Sequence, residues 1–375
     1  MTIAVLGAGM IGRAIALDLA NQHEVTSFDL SKVNLEDLQN KNPAINIAAA
    51  DFLNYNDYAN WLQPFDLVVT AVPGQIGYKT LEAVIQAGKN VVDISFFPED
   101  ALQLNKLAFQ KKVTAITDCG VAPGLSNLIL GRYNEEMKIE SFSCYVGGLP
   151  KERKKTFEYK APFSPEDVIQ EYIRAVRLME KGNLVTKPAL SDREIIEFDE
   201  IGQLEAFNTD GLRSLVQTMT HIPDMKEKTL RYPGHADFMI ALQQSGFFET
   251  TPIRIKDADI SPLEFTSKLL IHEWKLGPEE EEFTVMRVTI KGIKEGKKKT
   301  IEYNLLDRFD NESKLSSMAR TTGFTCTAVV NLLAQDRIDE HGVFPPEWVG
   351  KDKKNFDFVL EYLAKRNVRG KFTGV

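Results

Sequence analysis

Cysteine is scarce in this chain: Cys119, Cys144 and Cys326 are the only three, far apart and with no CxxC pair. That excludes a disulfide framework and makes a reducing cytoplasmic setting the simplest expectation. The five histidines (His23, His221, His235, His272 and His341) show no ligand spacing, so no metal site is expected. No apolar run reaches the ~18 residues of a membrane span. Ile3–Leu6 is too short for the apolar stretch of a signal peptide, because a glycine-rich turn follows directly. Positive charge is not in excess either: 45 Lys and Arg face 53 Asp and Glu, a formal charge of −8. A nucleic-acid partner needs the opposite balance. The chain also lacks a GxSxG nucleophile elbow, an internal repeat and a low-complexity segment.

Apolar material is plentiful: 43% of 375 residues is enough for two domains of ~150 residues, with no need of disulfide or metal staples. Short apolar runs at Ile3–Leu6, Val25–Phe28, Ile45–Ala50, Leu67–Val72, Val91–Ser95 and Val113–Thr117 predict six strands. Most are largely apolar rather than alternating, which suits parallel strands covered on both faces. Ile11, Ile15 and Leu19, at spacing four, share one helix face, and segments 80–87 and 98–109 supply further helices. The predicted architecture is α/β, a doubly wound parallel sheet with right-handed crossovers.

After Asp118 the pattern changes. Pro123 suits the start of a helix reaching about Leu130. Ser141–Gly147 reads as a strand and Pro165–Lys181 as an amphipathic helix. Glu194–Phe198 and Gln203–Phe207 read as a strand pair. Phe283–Lys291 and Thr300–Leu306 read as a hairpin across a polar turn containing Gly292 and Gly296. Charge runs at Lys151–Lys155, Glu279–Glu282 and Lys297–Lys299 are expected to be solvated. Ser316–Ala334 and Phe356–Leu363 are predicted helices. Residues 122–315 are therefore expected to form a second, mixed α/β domain. It is inserted before C-terminal helices (316–375) that return to the first domain, residues 1–121.

The chemistry begins at Gly7-Ala8-Gly9-Met10-Ile11-Gly12, which follows the first strand and opens the first helix. Gly7 allows the tight turn, Gly9 lets a pyrophosphate approach the backbone, and Gly12 lets helix and strand pack closely. The helix N-terminus offers unpaired N–H groups and a partial positive charge. Asp29 closes the second strand, 17 positions after Gly12. Its carboxylate can accept the adenosine ribose hydroxyls and would repel a 2′-phosphate, so NAD is expected over NADP. Lys32 is the residue that could reverse that preference. Asp51, Val72-Pro73, Ser95 and Asp118-Cys119 close later strands, and strand carboxyl ends face the ligand crevice in such sheets.

Three further segments resemble one family in order along nearly the whole chain. They are Asp118-Cys119-Gly120-Val121-Ala122-Pro123-Gly124-Leu125, Thr229-Leu230-Arg231-Tyr232-Pro233-Gly234-His235 and Met318-Ala319-Arg320-Thr321-Thr322-Gly323. With the glycine fingerprint they are similar to the saccharopine dehydrogenase-like family, most of all to its lysine 6-dehydrogenase branch. The resemblance implies an N-terminal Rossmann domain, a domain for substrate and dimer contacts, and returning C-terminal helices. It also makes a homodimer the expected assembly. Saccharopine-forming members typically carry an aspartate where Ala122 stands, and an arginine for the glutamate half of saccharopine where Asp210 falls. Both departures point to a smaller amino-acid substrate.

On that resemblance, the implied reaction is NAD-dependent oxidation of the lysine ε-amine to 2-aminoadipate 6-semialdehyde and ammonia. A neutral amine is needed, and its free pKa is ~10.4. Asp118 and His235 are therefore the candidate proton acceptors; for Asp118 a turn or cap role is the alternative, for His235 a structural one. Arg231 and Arg213 are candidates for the substrate carboxylate, Glu205 and Asp210 for the α-ammonium, and Tyr232 for the pocket wall. Cys119 is a cofactor neighbour or a packing residue. Two other readings stay open: a saccharopine dehydrogenase or related carboxyalkyl-amine oxidoreductase, and a non-catalytic dinucleotide-binding regulator with only apolar residues near the nicotinamide.

Overall fold

A computed structural model describes residues 1–153, 157–277 and 280–374. Six strands follow the apolar runs: β1 (Thr2–Leu6), β2 (Glu24–Asp29), β3 (Asn46–Ala49), β4 (Leu67–Thr70), β5 (Asn90–Asp93) and β6 (Thr114–Ile116). They lie parallel in the order β6-β5-β4-β1-β2-β3, and Gly342–Phe344 adds a seventh parallel strand beside β6. The order reverses between β1 and β4, which opens a crevice at their carboxyl ends.

The apolar character of these strands has a simple cause. Alternate side chains enter two different cores. Ile3, Val5, Val69 and Val92 join one cluster with Ile15 and Leu19 of helix α1 (Met10–Leu19). Ala4, Leu6, Val68 and Val91 join the other, under the helix Gly74–Gln86 through Leu81, Val84 and Ile85. Both faces are dry, so neither tolerates polar alternation.

The C-terminal helices return to this unit. Gly323 of the Ser317–Ala334 helix sits against α1, where an added Cβ would lie 3.4 Å from Ile15 and 3.5 Å from Ala14. Asp18 of α1 accepts hydrogen bonds from Thr327 Oγ1 (2.5 Å), Tyr362 Oη (2.8 Å) and Arg366 Nε (2.6 Å).

The second sheet is mixed. Its long strand Lys138–Pro150 pairs parallel with Asp224–Arg231 and antiparallel with Glu282–Lys294. Lys297–Arg308 and then Gly370–Thr373 follow on one side, Gly202–Asn208 and Glu194–Phe198 on the other. No helix among the described residues is long and apolar enough to cross a membrane.

Four local expectations need correction. The Pro165–Lys181 segment is helical only to Ile173; Val176–Glu180 is a strand, paired with Asn183–Lys187. Lys181 and Gly182, both at positive φ (51° and 80°), close that hairpin in two residues. Such a turn matches strand twist, and its lysine–glycine pair hides inside a helical pattern. The Phe283 hairpin turns only at Glu295-Gly296; Gly292 lies within its strand at a register shift, where a Cβ would meet Lys138 O at 2.2 Å. The helix after Pro123 starts at Leu125, capped by Gly124 at φ 135°, where a Cβ would lie 1.8 Å from Gly120 O. Glu282 is not a solvated tip: it is 2% exposed and accepts the Ser317 amide. Burial and the Asp307 carboxylate push its carboxyl up to about 8. Lys154, Lys155 and Glu279 of the expected charge runs lie outside the described residues.

Candidate functional site

The glycine turn packs as its sequence requires. Gly7 has φ 106°, and a Cβ there would sit 2.3 Å from Ala71 O. A Cβ on Gly12 would sit 2.0 Å from Gly7 O, so helix and turn touch backbone to backbone. A Cβ on Gly9 would meet nothing within 4 Å, which leaves the open approach a pyrophosphate needs. Asp29 ties the turn to β2: its Oδ2 accepts the Ala8 amide and its Oδ1 the Ser31 amide, both at 2.7 Å.

Gly7, Gly9, Met10, Ile11, Gly12, Asp29, Asp51, Val72, Pro73 and Ser95 all line one cleft of about 1600 Å³. Asp51 also accepts the Leu53 amide at 3.0 Å, which shapes the loop at the cleft's far end. These residues fit a dinucleotide: an open glycine turn, a helix N-terminus and an acid at the ribose position. The second sheet's domain supplies the opposite wall, Phe163 to Asp167 at the start of the Pro165–Ile173 helix. Asp167 Oδ1 reaches across to accept the Gly74 amide at 3.2 Å, and burial pushes that carboxyl up to about 6.

A second cavity, about 840 Å³, opens from this cleft past the shared residues Ile11, Ile94, Phe96 and Phe163. One strand furnishes much of its polar wall. Alternation along Asp224–Arg231 turns Glu227, Thr229 and Arg231 to the cavity. Lys228 faces the other way, 2.6 Å from Glu194. Glu171 faces them from the Pro165–Ile173 helix, two residues before its end. Asp118 enters from the turn after β6, Thr209 from the loop after Gly202–Asn208, and Met318 and Thr322 from the C-terminal helix.

The charges of this wall are mostly paired. Arg231 Nη2 donates to Glu171 at 2.6 Å, Nε to the Tyr172 hydroxyl at 3.2 Å and Nη1 to Leu230 O at 2.9 Å. Asp118 Oδ1 accepts from Arg213 Nε at 3.0 Å. Arg213 also donates to Phe97 O and lies over the Phe96 and Phe97 rings, so it sits behind Asp118 and borders a smaller side cavity with Glu99, Asp100 and Arg177. Glu227 has no cation beside it among the described residues. Thr209 Oγ1 donates to its Oε2 at 2.7 Å and lies 2.9 Å from Thr229 Oγ1. Burial pushes the Glu227 carboxyl up to about 8, helped by Glu171 and Asp210 and opposed by the Thr209 bond.

Five expected site residues are placed elsewhere, four of them with their polar atoms already used and Cys119 buried. His235 is 1% exposed; Nε2 meets the Tyr172 hydroxyl at 2.9 Å and Nδ1 the Phe157 carbonyl at 2.8 Å. Burial beside Arg231 pushes it down to about 3, so it is no proton acceptor near neutrality. Tyr232 packs on Phe283 and donates to Pro150 O at 3.0 Å. Glu205 is held by Arg193 and by the Gly234 amide. Asp210 takes Arg177 through both oxygens, at 3.0 and 2.7 Å, and it is the neighbour Thr209 that lines the cavity. Cys119 is fully buried beneath the sheet, its thiol pushed up by burial, and lines neither cavity.

Sequence reasoning missed Glu171, Thr209, Glu227 and Thr229. For Glu227, Thr229 and Arg231 the signal was present as period-two spacing, masked by Lys228 and Leu230 between them.

Two family models together match nearly the whole chain. Residues 3–116 match the saccharopine dehydrogenase NADP binding domain, and residues 120–368 the saccharopine dehydrogenase C-terminal domain. The chain belongs to the saccharopine dehydrogenase family. It is 22% identical to a carboxyaminopropylagmatine dehydrogenase from Synechocystis sp., over 93% of both chains. It is 21% identical to a saccharopine dehydrogenase [NADP(+), L-glutamate-forming] from Pyricularia oryzae, over 92% of this chain and 93% of that one. The structure of saccharopine dehydrogenase (L-Glu forming) from Saccharomyces cerevisiae superposes with a TM-score of 0.78 at 17% identity, covering 99% of each chain, which shows a shared fold. The protein is thus a saccharopine dehydrogenase-like oxidoreductase with a pyridine-nucleotide domain.

Proposed function

We propose that this protein oxidises the ε-amine of L-lysine with NAD⁺, giving 2-aminoadipate 6-semialdehyde and ammonia. The charge balance of the inner cavity carries this reading. Its described lining holds the carboxyl groups of Asp118, Glu171 and Glu227 against the single guanidinium of Arg231. Lysine brings two amines and one carboxylate, which complements that wall. Saccharopine brings three carboxylates, for which the described lining offers one guanidinium. Arg231 is proposed to meet the substrate carboxylate, since each terminal guanidinium nitrogen keeps a second N–H. Asp118 is proposed to face the reacting amine. A regulator without chemistry would have no use for buried carboxyl groups beside the nicotinamide end of the cleft. NAD is favoured over NADP because the Asp29 carboxylate stands at the ribose position.

A longer cationic amine is the second reading. It is favoured by Glu99 and Asp100, which border the side cavity beyond Asp118. The Synechocystis relative is named for such a compound, a carboxyl and an amino group joined to agmatine.

The test is NADH formation at alkaline pH from L-lysine, from saccharopine and from carboxyaminopropylagmatine, with NADP⁺ run in parallel. Turnover of saccharopine without lysine would refute the first reading, and turnover of the agmatine derivative alone would select the second.

A further inference from the structure

The reaction proposed above needs a group that takes a proton from the substrate ammonium. We infer that Glu227 is that group, with the Thr209 and Thr229 hydroxyls holding its carboxylate in place on the cavity wall. This rests on the reading of the protein as an amine dehydrogenase, and it names a residue that reading leaves open.

Asp118 is committed to Arg213, and Glu171 to Arg231. Both ring nitrogens of His235 are occupied, outside the cavity. Glu227 lines the cavity, is 6% exposed and has no cationic partner among the described residues. The charged or titratable groups around it are the Glu171–Arg231 pair, the Asp118–Arg213 pair, Asp210 with Arg177, and the Cys144 thiol on the adjoining strand. None of the acids brings a free positive charge, so a substrate ammonium is the natural counter-ion for Glu227.

Thr209 accounts for its position. Its hydroxyl donates to one Glu227 oxygen and lies 2.9 Å from the Thr229 hydroxyl, which also lines the cavity. With the Thr209 proton on Glu227, Thr229 donates to Thr209, so both hydroxyls point toward the carboxylate and hold it as an acceptor. Bound nicotinamide supplies the hydride acceptor. On the substrate side, an N–H proton of the ammonium moves to a Glu227 oxygen and frees the nitrogen lone pair. That pair forms the C=N bond as the ε-carbon gives up its C–H bonding electrons as hydride. The iminium then adds one water and releases ammonia.

Because burial raises the Glu227 carboxyl to about 8, the residue already holds a proton at lower pH and cannot accept another. The rate should therefore climb as pH rises through about 8. Glu227→Gln keeps an oxygen for the Thr209 bond but cannot take the proton. We expect kcat to fall ~100-fold or more, NADH affinity to stay unchanged, and the climb to move toward the free amine value of ~10.4. A second readout needs no turnover. The NADH complex should release close to one proton per L-lysine bound at pH ~7, measured calorimetrically in two buffers, and the Gln variant none; the expectation follows from linkage. A Gln variant with the wild-type pH profile, or with the same proton release, overturns the assignment. If the wild type oxidises another amine instead of lysine, the same comparison is made with that amine and only the choice of lysine fails. If it oxidises no amine, both fall.

Discussion

Asp29 offers a direct test of how this fold chooses its cofactor. The carboxylate accepts the Ala8 and Ser31 amides at 2.7 Å each, and on the proposed preference for NAD its negative charge would stand against a 2′-phosphate. Asn at this site keeps the size and one acceptor oxygen but presents an NH₂ group to one of the two amides. Losing one charge-assisted bond costs ~1.5–3 kcal/mol, and that loss loosens the glycine turn for either cofactor. The second effect is selective. A unit charge ~4 Å from a phosphate charge, at an effective dielectric constant of ~20, is worth ~4 kcal/mol before screening. Asp29 is only half-buried, so a residual ~1.5–3 kcal/mol of discrimination is reasonable. Asp29→Asn should therefore weaken NADH binding modestly and improve the NADPH-to-NADH affinity ratio ~10- to 150-fold. Fluorescence titration with both reduced cofactors at two salt concentrations measures this without any substrate. A ratio unchanged within about threefold in a folded variant would refute the electrostatic argument. So would a wild-type protein that binds NADPH more tightly.

Other expectations follow from contacts already described. Gly12→Ala puts a methyl 2.0 Å from Gly7 O; overpacking should cost about 3 kcal/mol, visible as a lower Tm and lost NADH binding. Asp210→Asn breaks a two-point contact with Arg177, so urea unfolding should show ~1–3 kcal/mol lost, and loss of its charge should lower the Glu227 carboxyl and move the pH profile down. Glu282 is favoured neutral in the fold, about 8 against 4.5 when unfolded. Its contribution to stability is thus full below about 4.5 and is lost as pH rises through about 8, at ~1.4 kcal/mol per pH unit at most. Glu282→Gln should flatten the fall in Tm between pH ~5 and ~8; an equally steep fall in the variant would show that other groups cause it.

The cofactor half of the site was legible because it is written in backbone geometry. Gly7 needs positive φ and Gly12 a close approach, and few other residues can stand there. The parallel sheet was legible for a related reason: strands with two dry faces cannot hide their apolar runs. The substrate half was not. Arg231 was named from the sequence, but Glu227 and Thr229 were not, because Lys226, Lys228 and Leu230 alternate with them along the strand. His235, Tyr232, Glu205 and Asp210 are residues of the right type, satisfied by partners distant in sequence. Spacing cannot show that Phe157 O, Pro150 O, Arg193 or Arg177 will be waiting.

The last strands of the chain bear on how it folds. Gly342–Phe344 covers the open edge of β6, where Thr114 and Glu340 meet across 226 residues, and Gly370–Thr373 covers the edge of Lys297–Arg308. Both sheets therefore lack these edge strands until residues 342–373 have been synthesised. Unpaired edges recruit other chains, and contacts this distant form slowly. The nascent protein spends its most aggregation-prone interval with two assembled sheets waiting for one tail, so chaperone dependence should track the arrival of residues 342–373 rather than of the cofactor fingerprint.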